Sequence, residues 1–212
     1  MEIRLFAYNT FEIAANTYIV SDDQSRCVVI DPGQEDKEVV KYIKDNHLSL
    51  SAILLTHGHF DHIRGVDMLV KEFHVPVYIH KNDRDFLYDS HLNGSDRFSR
   101  KDITVSKDIE VREIVDERPL NLLSMPIQVI ETPFHTPGSI CFYFKEENTL
   151  FSGDTLFFES IGRSDFPRAN PSLIPSSLAK LMSLKDETVV YPGHMNKTTV
   201  GHEKKQNPFV NN

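Results

Sequence analysis

The sequence predicts an α/β sandwich, two packed β-sheets with helices on their outer faces. Short apolar runs bounded by turn residues dominate the chain, as strands of about five residues do. These runs come in meander-like groups rather than in strict β-α-β alternation. Between the groups lie stretches with apolar residues at helical spacing, which suit helices that cover a sheet on one side only.

From the N-terminus, residues 2–8, 16–21 and 27–31 read as three successive strands, and Asp31-Pro32-Gly33 ends the third. Residues 35–46 carry Val39, Val40 and Ile43 at helical spacing among charges, so they read as an amphipathic helix. Residues 52–56 are a continuous apolar run, as a strand buried on both faces is, and they lead directly into His57-Gly58-His59-Phe60-Asp61-His62. A second amphipathic helix is expected over 63–73, a strand over 75–79 and a helix over 82–91. Residues 92–125, with Gly94, several serines and mixed charges, read as loops around one strand at 109–114. Strands follow at 127–131, 140–144, 150–152 and 188–191. A helix over 172–184 is opened by Pro171, a residue suited to a first turn. No repeat, low-complexity tract or Ser/Gly linker divides the 212 residues, so a single domain over 1–212 is expected.

Composition narrows the function classes. The hydrophobic fraction of 40% and charged fraction of 25% are ordinary for a globular protein. A net charge of -8 and the lack of any Lys/Arg-rich run argue against nucleic acid as the substrate. The segment Met1-Glu2-Ile3-Arg4-Leu5-Phe6 has no basic region leading into an apolar one, so no secretory signal is expected. No apolar stretch approaches the roughly 20 residues that span a bilayer, so no membrane partner is expected. Cys27 and Cys141, far apart and each inside an apolar run, read as reduced core thiols, which suits a cytoplasmic location.

The ten histidines sort into two groups. His47, His74, His80, His91 and His202 stand singly in helical or charged surroundings and read as surface or capping residues. The other five each follow the end of an expected strand: His57, His59 and His62 after 52–56, His135 after 127–131, and His194 after 188–191. Asp154 likewise follows 150–152. Strand C-termini of an α/β sheet are where side chains from distant segments converge. His57 and His59 are separated by one residue, so in an extended segment they point to the same side and can grip one metal. Asp61 and His62 begin the next helix and point elsewhere, as ligands of a second metal would.

These elements resemble the metallo-β-lactamase superfamily. The matching motifs are Thr56-His57-Gly58-His59-Phe60-Asp61-His62, Thr132-Pro133-Phe134-His135-Thr136-Pro137-Gly138-Ser139, Ser152-Gly153-Asp154-Thr155-Leu156-Phe157 and Pro192-Gly193-His194. Within it, Ile161-Gly162-Arg163-Ser164-Asp165-Phe166-Pro167, Thr198-Thr199-Val200-Gly201-His202-Glu203 and Asn207-Pro208-Phe209 resemble short bacterial glyoxalase II-like hydrolases. The resemblance implies an αββα sandwich with two divalent metal ions at one edge, zinc first and iron(II) or manganese(II) as alternatives. It implies His57, His59 and His135 on one ion, Asp61, His62 and His194 on the other, and Asp154 between them, with Asp61 and Asp154 as the catalytic carboxylates. Two positions depart from the family pattern, Phe134 and Met195, where glycine is common, and both are expected to reshape the pocket rim. Only residues 195–212 follow His194, so the helical extension by which longer glyoxalase II enzymes bind glutathione is not expected.

The implied activity is hydrolysis of a thioester or ester of a small acyl-thiol, such as S-D-lactoylglutathione, by a metal-bridging hydroxide. Two divalent cations against two carboxylates leave net positive charge for an anionic substrate or product. A thiol of pKa about 8.5 leaves as thiolate without a proton donor, whereas an amide nitrogen needs one, and the motifs contain no dedicated acid. Arg163, close after Asp154, is the first candidate to hold a substrate carboxylate, followed by Lys197, then Arg168 and Lys204. The main rival is a persulfide dioxygenase of the same superfamily, with one iron on the equivalents of His57, His135 and Asp154. A nuclease, a lactonase or β-lactamase, and a non-catalytic module are further rivals.

Overall fold

The computed structural model describes residues 1–8 and 13–210. Six strands form one sheet in the order β1-β2-β3-β4-β5-β6: β1 (Glu2–Phe6), β2 (Thr17–Ser21), β3 (Arg26–Ile30), β4 (Ser49–Leu54), β5 (Val77–His80) and β6 (Val111–Ile114). Five form the other, in the order β11-β10-β9-β8-β7: β7 (Gln128–Glu131), β8 (Ile140–Phe144), β9 (Thr149–Gly153), β10 (Val189–Pro192) and β11 (Thr198–Thr199).

The period of two in the strands builds both faces of each sheet. Val28 and Ile30 of β3 meet Ile140, Phe142 and Phe144 of β8 in the core between the sheets. Their neighbours Cys27 and Val29 face outward, onto Val39 and Ile43 of helix α1 (Lys37–Asp45). On the second sheet, Cys141 and Tyr143 face Leu178 and Leu181 of a helix spanning Ile174–Met182. Two sheets are thus packed face to face with a helical layer on each side, the αββα arrangement expected. Both thiols are unpaired and fully buried; burial pushes Cys27 up to about 12 and Cys141 up to about 11, as inert core residues require.

Several boundaries differ from the sequence reading. The expected helix over 63–73 begins earlier and is cut in two, α2 (Phe60–Ile63) and α3 (Val66–Phe73). Gly65 makes the cut: its N–H donates to the Pro32 carbonyl at 2.8 Å, and a Cβ there would run into the Gln34 carbonyl. The segment expected to be helical over 82–91 is a 3₁₀ helix, Lys81–Leu87, opened by His80, whose Nδ1 accepts from the Asn82 N–H. His80 therefore caps, but it is buried rather than superficial. A short helix α4 (Ser95–Phe98) lies inside the region read as loop. The helix over 172–184 becomes a 3₁₀ turn, Pro171–Leu173, followed by α5 (Ile174–Met182). After β11 comes α6 (Val200–Gln206), which the sequence reading did not separate. Among the described residues no helix is long and apolar enough to cross a membrane.

Candidate metal centre

Parallel strands deliver the polar residues. β3 runs parallel to β4 and β9 parallel to β10, while β7 shares the direction of β9 because both are antiparallel to β8. The segments leaving the C-terminal ends of these strands meet at one edge of the sandwich. There all seven residues singled out as ligands come together.

They form two groups joined by a carboxylate. In the first, His59 Nδ1 lies 3.1 Å from His57 Nε2 and 2.8 Å from His135 Nε2. In the second, Asp61 Oδ2 lies 3.1 Å from His194 Nε2 and 4.0 Å from His62 Nε2. Asp154 stands between them, with Oδ1 3.3 Å from His62 Nε2 and Oδ2 3.5 Å from His135 Nε2 and 3.6 Å from His194 Nε2.

These residues fit metal ions on their own geometry. The ligand atoms of His57, His59 and His135 all lie within 4.8 Å of one another, as do those of Asp61, His62 and His194, and of His57, His62 and Asp154. A tetrahedral ion with bonds of about 2.0–2.1 Å sets its nitrogens about 3.3 Å apart, close to the spacings here. Hydrogen bonding among the side chains does not fully satisfy them: the buried His62 Nε2 and Asp154 Oδ1 face each other at 3.3 Å outside hydrogen-bond geometry and have no other partner among the described residues. Such orphaned atoms cost about 1–3 kcal/mol each, and a cation would relieve both.

The electrostatics of the two groups differ. Burial pushes His57 well below the ordinary imidazole range, His59 down to about 3 and His135 downward too. All three are neutral, the form in which imidazole binds a metal. Burial also opposes charge on His62 and His194, but carboxylates outweigh it. Asp31, Asp154 and Asp61 hold His62 well above its usual range, and Asp154 and Asp61 raise His194. Burial would raise Asp61, yet His62 and His194 bring it down to about 2.

Partners behind the rings fix their orientation. His135 Nδ1 meets the Arg163 carbonyl at 2.6 Å, His57 Nδ1 meets Thr56 Oγ1 at 3.2 Å, and His62 Nδ1 meets Asp31 Oδ2 at 2.9 Å. Two glycines permit close packing. A Cβ on Gly193 would collide with Asp154 Oδ1 and lie 2.7 Å from His62 Cε1, and one on Gly162 would collide with the Asp154 carbonyl.

A sequence model of the metallo-beta-lactamase superfamily matches residues 11–194, a span that holds all seven residues. This chain belongs to the metallo-beta-lactamase superfamily. By family it is a metal-dependent hydrolase. It is 39% identical over 201 residues to the probable metallo-hydrolase YqgX of Bacillus subtilis, covering 94% of this chain and 93% of the relative. To the hydroxyacylglutathione hydrolase GloC of Haemophilus influenzae it is 34% identical, covering 100% and 99%. Among solved structures it is similar to the BLEG-1 B3 metallo-beta-lactamase (TM-score 0.93, 36% identity, 100% of each chain). It is also similar to TTHA1623 in a di-iron-bound form (TM-score 0.82, 36% identity, 96% and 99%).

Two buried acids of this metallo-beta-lactamase fold escaped the sequence reading. Asp31 accepts from the Thr56 N–H at 2.8 Å and the Thr56 hydroxyl at 2.7 Å as well as facing His62. Its signal is present in the sequence: it stands at the end of the expected strand 27–31, as the clustered residues stand after theirs, but the Asp31-Pro32-Gly33 break alone accounts for it. Asp83 left no such signal. From the 3₁₀ helix its Oδ2 accepts from the Gly58 N–H at 3.0 Å and the Thr136 hydroxyl at 2.6 Å, while Oδ1 accepts from the Gly138 N–H at 2.6 Å. It thereby ties the loop of His57 and His59 to the loop of His135, and burial pushes its carboxyl up to about 6.

A cavity of about 420 Å³ opens beside His59, Asp61, His135, Asp154 and His194. Its other walls include Ile13, Phe98, Phe157, Ile161, Phe166 and Met195, with Arg97 and Arg163 among them. Arg163 lines the cavity, but its guanidinium is held by Asp165 through two contacts of 2.8 Å and lies over the Phe166 ring at 4.4 Å. Lys197 is not among the lining residues; its Nζ sits 6.0 Å from the Tyr191 ring. Arg168 lies over Phe86, and Lys204 pairs with Asp186. Phe134 is fully buried, so of the two departures only Met195 reaches the rim. His91, read as a surface residue, also lines the cavity.

Proposed function

We propose that this chain hydrolyses a thioester or ester of a small acyl-thiol, S-D-lactoylglutathione being the first to try, with two zinc, iron(II) or manganese(II) ions. The observation that carries the reading is Asp154, whose two oxygens face members of both ligand groups and so suit one carboxylate shared by two ions. On this reading His57, His59 and His135 would hold one ion and Asp61, His62 and His194 the other, with Asp154 shared between them. When bound, such a pair supplies a Lewis acid and a water-derived nucleophile at neutral pH.

The chain's own residues bind and orient. Asp31 and the Arg163 carbonyl hold His62 and His135 from behind, and the cavity of about 420 Å³ beside Asp154 has room for a small substrate. Among the described lining residues outside the seven clustered ones, His91 is the one further imidazole or carboxyl group, and it pairs with Asp96 at 3.1 Å. A leaving group that departs without protonation suits this site, which favours a thiolate over an amine. The likeness to GloC supports a hydroxyacylglutathione as substrate, and the likeness to TTHA1623 supports iron as a possible resident metal.

The likeness to BLEG-1 favours a second reading, hydrolysis of a β-lactam. Purified protein assayed side by side with S-D-lactoylglutathione, a chromogenic cephalosporin and glutathione persulfide separates the readings. We expect thioester cleavage, a rate at least about a hundredfold lower in His59→Ala, and no oxygen uptake on persulfide. Cephalosporin turnover without thioester cleavage would favour the β-lactam reading. Oxygen uptake by a one-iron protein would replace both with the dioxygenase.

A further inference from the structure

We propose that the cavity beside the ligand cluster selects substrates with a bulky apolar acyl or thiol group, and that Ile13, Phe98 and Met195 form the collar that makes the selection. The inference rests on the hydrolytic reading above and narrows its substrate class: apolar thioesters rank above the polar S-D-lactoylglutathione, which tests the reaction and not the collar.

The collar is defined by what the fold leaves in water. Ile13 is 50% exposed, Phe98 42% and Met195 61%, and all three line this one cavity. Exposed large apolar side chains gathered at one place mark a binding surface rather than ordinary scatter. Deeper in the cavity Phe157, Ile161 and Phe166 continue the apolar wall toward His59, His135 and His194. The Phe166 ring lies 5.1 Å from that of His59, and the Phe157 ring 5.9 Å from that of His194.

Met195 gives the second observation. Its φ is +67°, in the left-handed region that favours glycine, and Asn16 Nδ2 donates to its carbonyl at 3.1 Å. A glycine would sit there without strain, and the chain keeps a long thioether side chain, mostly in solvent, at the cavity mouth. Packing within the fold does not account for that side chain. An apolar substrate group resting against it does.

The charges fit the same occupant. Arg163, the cation best placed by sequence, is already held by Asp165, and its guanidinium spreads over Phe166 at 4.4 Å and Phe98 at 6.0 Å. It braces the apolar wall and is matched by its own carboxylate. Arg97 stands beside His91, its Nη2 3.4 Å from both ring nitrogens.

Two series of neutral thioesters test the collar. Acetyl, butanoyl and hexanoyl N-acetylcysteamine lengthen the acyl side, and the thioacetates of ethanethiol and hexanethiol lengthen the thiol side. With the metal-loaded protein, kcat/KM should rise at least about tenfold along one series, since a buried methylene is worth roughly three- to fourfold. Met195→Gly and Phe98→Ala should each lower that long-to-short ratio by about fivefold or more. Calorimetry supplies a readout free of turnover: the non-cleavable thioether S-hexyl-N-acetylcysteamine should bind at least about tenfold tighter than its S-methyl counterpart. Equal rates along both series, with the two thioethers binding alike, would overturn the collar and leave the hydrolytic reading standing. No cleavage of any thioester would overturn the hydrolytic reading, while the thioether comparison would still decide the collar.

Discussion

Asp83 joins two loops of the candidate site without being one of its seven clustered residues. Three donors from two loops converge on it, and burial raises its carboxyl from 3.8 to about 6. A raised carboxylate favours the protonated folded state. Its stabilising contribution is therefore full below the unfolded value and is lost as pH rises through about 4 to 6. Above that window the charge costs about 3 kcal/mol relative to acid, at 1.36 kcal/mol per unit. Asp83→Asn removes this titration but turns an amide N–H toward a backbone N–H, at a cost of about 1–3 kcal/mol near neutral pH. Urea unfolding of both proteins without metal should show the wild-type advantage shrinking by about 2 kcal/mol between pH 4.5 and 7. A gap that does not change with pH would contradict the assignment. The seven clustered residues were legible because polar side chains at strand ends have no packing reason to be there. Asp83 was not, because its partners lie 25, 53 and 55 residues away and nothing local marks an acid as buried.

At the scale of elements, the strands were legible and the short helices were not. Continuous apolar runs such as Cys27-Val28-Val29-Ile30 face a core on both sides, so composition alone reveals them. α4 has too few residues for periodicity to register, and tertiary bonds hold its neighbourhood: Asn93 donates to the carbonyls of Phe86 and Ile103. α6 was hidden for the same reason, and it supports the site from outside. From this helix, the buried Glu203 accepts from the Glu159 N–H at 2.9 Å, the Asn207 amide at 2.8 Å and the Thr198 hydroxyl at 2.6 Å. Asn207 also donates to the Ser160 carbonyl at 3.0 Å. Together they pin the segment that leads from Phe157 to the Arg163 carbonyl behind His135. Glu203→Ala should lower stability by about 2–3 kcal/mol and speed amide exchange over residues 157–163 more than in α1. Uniform acceleration throughout the chain would mean that α6 supports the fold in general rather than this segment.

Across the whole molecule, the two sheets divide the site. The segments after β3 and β4 supply Asp31, His57, His59, Asp61 and His62, and those after β7, β9 and β10 supply His135, Asp154 and His194. The fold brings these halves to one edge, but the halves meet through atoms that hydrogen bonds leave partly unsatisfied. Ions shared between the groups would tie one sheet to the other, and binding free energy would then appear as folding stability. The central claim is that this edge holds two ions in two separable groups. Calorimetric titration of metal-free protein with zinc, repeated on His59→Ala and His194→Ala, tests it most directly. Two ions per chain are expected in the parent and one tight ion in each variant, with the weakened site differing between the two. One ion in the parent, lost equally in both variants, would contradict it.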